Sequence, residues 1–136
     1  MVVKQKFSTK WKSSKQIRKQ RKYRANAPLH LRQKMVSAHL DKKLQKAFGR
    51  RSLPVRREDK VKIMRGKFKG ATGMVTRVDL KKLKIYVDSA KRKKVSGQEV
   101  QVPIDPSNVK IIEIKRDDRM RQKAIKRKTS KEADKK

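Results

Sequence analysis

Three cations, Arg65, Lys67 and Lys69, occupy alternate positions in this chain, with Gly66 and Gly70 among them and Gly73 just beyond. Guanidinium and ammonium groups on a short turn can donate to phosphate oxygens. Glycine permits a tight turn or a close backbone approach that a Cβ would obstruct. The array is not a nucleotide fingerprint. It lacks the GxxxxGK[ST] order of a P-loop, and no GxGxxG follows a strand. Other chemistry finds few residues. There is no Cys, hence no disulfide framework and no Cys-based zinc site. His30 and His39 are the only histidines and do not have metal-ligand spacing. Two His and no Cys leave few nucleophile–base pairs. Glu58, Asp59, Asp79, Asp88, Glu99, Asp105 and Glu113 fall at strand ends or on wet faces, where they are expected to offset nearby Lys and Arg. His30, beside Leu31 and Arg32, is read as a phosphate or base contact, and His39 as a surface residue near a helix start. No catalysis, cofactor, metal or small-molecule substrate is expected.

Charge says what the cations are for. Over 136 residues, 44 Lys and Arg face 12 Asp and Glu, a formal net charge of +32. Hydrophobic residues make up 34% and aromatics 4%, too few for a core that fills the whole length. Self-repulsion opposes compaction of such a chain unless a dense polyanion neutralises it, and phosphate backbones are the obvious candidates. A membrane partner is not expected. No stretch approaches the ~18 apolar residues of a spanning helix, and the basic segments have no wide apolar face. The first residues, MVVKQKFSTK, lack the apolar region of a secretory signal, so an intracellular protein is expected.

The charge is uneven, and the unevenness marks three regions. Residues 1–50 hold 16 Lys and Arg and one acid, Asp41; residues 51–114 hold 17 and 7; residues 115–136 hold 11 and 4. Acids concentrate where a folded unit needs mixed surface charge. The first region almost excludes them, as an arm buried in nucleic acid would.

The elements that must position these cations follow from periodicity. Segments 53–55, 61–64, 74–78, 84–87, 99–104 and 109–114 read as strands, and their close spacing favours a small barrel that folds by itself over 51–114. Residues 59–78, DKVKIMRGKFKGATGMVTRV, form a hairpin with Arg65, Lys67 and Lys69 on its turn. Lys91–Lys94 with Ser96-Gly97 reads as an exposed hairpin tip, and Asp105-Pro106-Ser107-Asn108 as a turn into the last strand. Ahead of the barrel, 13–25 reads as a helix capped by Ser13 or Ser14. A short helix follows near Pro28. A third spans about 40–48, with Ser37 as a possible cap, Leu40, Leu44 and Phe48 on one face and Gly49 at its end. Residues 116–129 read as a C-terminal helix, with Asp117 and Asp118 suited to its start and a disordered tail beyond Thr129.

Trp11 and Tyr23 stand within the basic arm, where aromatics can stack on unpaired bases. For Tyr23, packing against protein weighs as much as stacking; for Trp11, stacking is favoured. The arm is expected to become ordered only on RNA.

The 59–78 hairpin resembles the KOW motif of small SH3-like barrels in ribosomal and transcription-factor proteins. The resemblance widens with RANAPLHLRQKM in the arm, RRSLPVRREDKV leading into the barrel and IDPSNV leaving it. Together these are similar to the KOW-containing large-subunit ribosomal protein family, number twenty-four in the universal scheme and twenty-six in the eukaryotic one, over about residues 10–115. The long arm is similar to that of archaeal and eukaryotic members. The fold implied is mainly β: an SH3-like KOW barrel with a basic helical N-terminal arm and a C-terminal helix.

The resemblance implies a non-enzymatic protein that binds large-subunit rRNA, assists early assembly and sits near the peptide-exit tunnel. It implies neighbouring ribosomal proteins as partners and no homo-oligomer. It also implies a cytoplasmic ribosome, with nuclear and nucleolar transit during assembly. It carries RNA contact onto Arg18, Arg21, Lys22, Arg24, His30, Arg32 and Lys34 in the arm, and onto Arg65, Lys67 and Lys69 in the loop. Many relatives have His where this chain has Asp105, so no RNA contact is assigned there. The segment after Lys115 matches least. Two rivals are a KOW transcription elongation factor, which would need an α/β domain ahead of the KOW unit, and a chromatin-type compacting protein, which would need no specific hairpin.

Overall fold

Period-two alternation builds the sheet. In the computed structural model, which describes residues 7–115 and 117–133 (side chains to 127), the strand β3 (Lys60–Ile63) buries Val61 and Ile63 and turns Lys60 and Lys62 to the other face. The remaining strands are β1 (Ser37–Leu40), β2 (Ser52–Pro54), β4 (Thr72–Asp79), β5 (Lys84–Val87), β6 (Lys91–Lys93), β7 (Glu99–Gln101) and β8 (Val109–Glu113). Six of them form one sheet in the order β2-β1-β8-β3-β4-β5, while β6 and β7 make a separate two-stranded ribbon. The register of β4 shifts between Val75 and Arg77, a bulge that bends the strand. The result is the expected small barrel-like β unit with helices at both chain ends.

The core gathers Val61, Ile63, Val75, Ile85, Val87, Val109 and Ile111 with Val36, Ala38, Leu40, Leu53, Val55, Ala90 and Ile104. Each fully buried Val, Leu or Ile contributes roughly 1.5–3 kcal/mol. Three of these, Val36, Ala38 and Leu40, precede residue 51. They belong to β1 or lead into it, where a helix start was expected. Leu40 satisfies two periods: every fourth position toward Leu44 and Phe48, and every second position back to Ala38 and Val36. The sheet prevails because β1 has neighbours on both sides, antiparallel to β2 and parallel to β8. Ser37 is therefore a strand residue. The helix α3 (Lys42–Phe48) starts after Asp41 and ends at Gly49, with Leu44 and Phe48 packed against the core.

The arm departs from expectation too. A 3-10 turn spans Thr9–Ser13, and the helix α1 (Ile17–Asn26) begins after Gln16 rather than at Ser13 or Ser14. The Gln20 side-chain amide donates to the carbonyls of Trp11, Lys12 and Ser14 at 3.1, 3.2 and 2.7 Å, tying the turn to the helix. A second helix, α2 (Leu29–Met35), follows Pro28. Residues 9–35 thus form a 3-10 turn and two helices, with the turn tied to α1 by the Gln20 amide. At the other end, α4 (Arg119–Ala133) continues four residues past Thr129, where a disordered tail was expected; Lys131, Glu132 and Ala133 are good helix formers. Position 116, where that helix was expected to begin, lies outside the described residues. Among the described residues no helix is long and apolar enough to cross a membrane.

Candidate nucleic-acid interface

The hairpin between β3 and β4 presents the loop cations. Gly66 and Gly70 have φ of +87° and +92°, and a Cβ on either would meet nothing within 4 Å. Conformation rather than space requires glycine there. Four backbone bonds set the loop: Lys69 N–H to Gly66 O (3.1 Å), Gly70 N–H to Ile63 O (2.8 Å), Ala71 N–H to Phe68 O (3.1 Å) and Met64 N–H to Asn108 O (2.8 Å). Phe68 packs against the core, while Arg65, Lys67 and Lys69 are exposed. The turn after β7 therefore braces the loop, and the three cations are held outward on a preset backbone.

Gly73 has a different reason. It lies in β4, where a Cβ would come within 2.0 Å of Asp88 Oδ1 and 2.9 Å of Val87 Cγ1. The space lets Asp88 reach across and accept from the Met74 N–H at 2.9 Å.

On α1, Arg18, Arg21 and Lys22 are exposed and share one side at i, i+3 and i+4. Arg24 is exposed as well, as are His30 and Lys34 on α2. Trp11 is half-buried, and the Lys22 ammonium stands 5.1 Å from its ring centroid. A cation thus already lies on one aromatic face.

Two expected RNA contacts are otherwise engaged. Tyr23 is 8% exposed and packs against Phe7 with centroids 5.1 Å apart. Of its two readings, protein packing is the one seen. Arg32 directs its guanidinium at backbone carbonyls: Nε to Ala27 O at 2.8 Å, Nη1 to Lys81 O at 2.7 Å, and Nη2 to Ala25 O. This fork clamps the α1–α2 junction to the turn between β4 and β5. A planar donor with five N–H groups suits that task. Arg32 lies among arm cations in sequence, and nothing local marks it as different.

The acids explain why so many cations face outward. Asp41 pairs with Lys110 at 2.6 Å, Lys60 with Glu113 at 3.1 Å, Lys84 with Asp105 at 2.6 Å and Lys91 with Glu99 at 3.4 Å. Arg56 pairs with Asp118 and Lys115 with Glu58. Asp79 accepts from the Lys82 N–H at 3.0 Å. Lys110 holds the Asp41 carboxyl below its ordinary pKa, and the backbone N–H of Lys82 does the same for Asp79. Lys115 lowers Glu58, which in turn raises Lys115. None of the ion pairs among the described residues draws a cation from α1, α2 or the 65–69 loop. The partner of Asp105 is a protein cation, Lys84.

Asp59 and Arg121 were missed as a pair. Asp59, expected to offset local charge, is fully buried, and Arg121 is 6% exposed. The two meet through both terminal guanidinium nitrogens, Nη1 and Nη2. The one available signal was an acid placed directly before the buried positions of β3. Among the described residues no cluster of His, Cys, Asp or Glu could hold a metal.

Exposed cations stand on a preset loop and on a basic helix, and groups of this kind can donate to phosphate oxygens. The sequence profile of the family that joins the eukaryotic ribosomal proteins L26 to their archaeal L24 counterparts matches residues 14–128. A relative described as large ribosomal subunit protein uL24, from Pyrobaculum islandicum, is 54% identical over 115 residues, covering 85% of this chain and 94% of that protein. The chain belongs to this family of eukaryotic L26 and archaeal L24 ribosomal proteins.

Proposed function

We propose that this chain is a non-enzymatic structural constituent of the large ribosomal subunit, and that it holds large-subunit rRNA with two surfaces of different character. The 65–69 loop is rigid before contact and sets register. The helices α1 and α2 supply affinity through Arg18, Arg21, Lys22, Arg24, His30 and Lys34, with the free side of Trp11 available to a base. The observation that carries this reading is the distribution of ion pairs: the acids pair with cations of the β body and the C-terminal segment, and among the described residues none of the pairs draws on α1, α2 or the 65–69 loop. The arm ends at Met35, since Val36 already enters the core. Early assembly, a position near the peptide-exit tunnel, neighbouring ribosomal proteins, a monomeric state and a cytoplasmic ribosome reached after nucleolar transit complete the reading, on the family resemblance.

The elongation-factor alternative needs an α/β domain ahead of β3. Residues 7–59 hold a 3-10 turn, three helices and two strands, and both strands pair within the barrel sheet. Sedimentation of tagged protein through a sucrose gradient in high salt tests the reading. Retention with the large subunit is expected. Recovery with polymerase or bulk chromatin would overturn it.

A further inference from the structure

The C-terminal helix has two sides. Its inner side docks on the barrel. Arg121 grips buried Asp59 and donates to Pro54 O at 3.3 Å. Ile125 packs against the core cluster with Phe48 and Ile114. Arg50 reaches from the end of α3 to the Ala124 carbonyl. Three attachments, one of them ionic and buried, fix both the direction and the rotation of the helix.

The outer side is then determined by the 3.6-residue period. Arg119, Lys123 and Lys126 follow at i, i+4 and i+7, on the side opposite Arg121, and all three are exposed. With Gln122 and Arg127 they line one shallow groove. The three cations span about 10 Å of helix axis. Among the described residues of the helix no acid interrupts them: Asp117 and Asp118 precede it and turn to Lys115 and Arg56. An undocked basic tail would present its charges in no fixed direction. This one presents them in a row fixed to the barrel.

We propose that the outer side of α4 is a third RNA-contacting surface, a docked basic rail that follows an RNA phosphate backbone, and that Asp59 and Arg121 are its positioning residues. The inference rests on the rRNA-binding reading. Charge complementarity selects the partner: a row of exposed cations, bordered by Met120 as the single exposed apolar residue among the described residues of the helix, fits a phosphate backbone better than the mixed surface of a protein.

The test uses the full chain and a transcript of the 5′ domain of large-subunit rRNA. Arg119→Gln, Lys123→Gln and Lys126→Gln are combined; these surface changes leave the docking side intact. Each phosphate that is no longer neutralised flattens the salt dependence of log K by about 0.7–0.9, so a decrease of about 2 units is expected. The control combines Lys42→Gln, Lys43→Gln and Lys46→Gln on α3, which removes equal charge and should leave the slope nearly unchanged. Equal flattening by both sets would reduce the rail to net charge and overturn the proposal. An unchanged slope for the α4 variant would also overturn it, including the case where the variant fails to enter subunits because a protein neighbour was the partner. Wild-type protein that does not bind the transcript would defeat the parent reading and this inference together. Wild-type binding with an unchanged variant slope defeats this inference alone.

Discussion

Arg121 holds the Asp59 carboxylate with two parallel bonds, Nη1 to Oδ1 at 2.6 Å and Nη2 to Oδ2 at 2.7 Å. The backbone N–H groups of Arg56 and Lys115 complete the carboxylate, at 2.8 and 3.2 Å. One acid therefore joins the turn leading into β3, the segment after β8 and the C-terminal helix. Removing either partner leaves a buried charge uncompensated, which costs about 3–5 kcal/mol. Arg121→Met should lower stability by that order in urea melts. Adding Asp59→Asn should recover part of the loss, because the orphaned charge is gone. A double variant less stable than Arg121→Met by the full cost of a second independent lesion would show that the two residues are not coupled.

The barrel does not end where its acids end. A fragment covering 51–114 lacks β1, which lies between β2 and β8, and lacks Arg121. The expected independent fold over 51–114 would thus leave β2 and β8 without the strand between them. Residues 36–127 should melt cooperatively by circular dichroism, and residues 51–114 should not. Equal cooperativity in the two fragments would make β1 and α4 dispensable.

Gly73 and Asp88 form a coupled pair. A Cβ at Gly73 displaces the Asp88 carboxylate from the Met74 N–H, a charge-assisted bond worth about 1.5–3 kcal/mol. Gly73→Ala should cost that order. Asp88→Ala introduced afterwards should then cost far less than it does in the wild type. Additive losses would show that the carboxylate is not what the methyl group strikes. Gly70→Val should cost on the order of 1–3 kcal/mol through its positive φ instead, with no dependence on Asp88.

Loop and arm should fail differently. Arg65, Lys67 and Lys69 sit on a backbone set before contact, so their donors lose little entropy on binding. Replacing all three by Ala should reduce the preference for cognate over scrambled rRNA in competition binding at fixed salt. Replacing Arg18, Lys19 and Arg21 should weaken both RNAs alike. Arg32→Lys should lower stability by about 1 kcal/mol or more, as a lysine cannot serve the carbonyls of a fork, and leave the salt slope unchanged. If loop and arm variants lose the two RNAs equally, the loop is only another basic patch. A fall in slope for Arg32→Lys would return that residue to the interface.

Some features of this protein are local and can be read along the chain. Val61 and Ile63 alternate with lysines, so β3 and its hidden face follow from neighbours two positions apart. Gly66 and Gly70 among basic residues mark a turn that needs positive φ. The near absence of acids before residue 51 names a polyanionic partner, since net charge needs no coordinates. Other features depend on which distant segments meet. Leu40 fits a helix and a strand equally until β8 lies beside it, about seventy positions later. Arg32 looks like any arm cation until the Lys81 carbonyl, 49 residues away, takes its Nη1. Asp59 looks like a surface acid until Arg121, 62 residues on, closes over it. Folding alone sets the distance between such partners, so only the tertiary structure decides whether a charge is left for RNA or engaged by the protein itself.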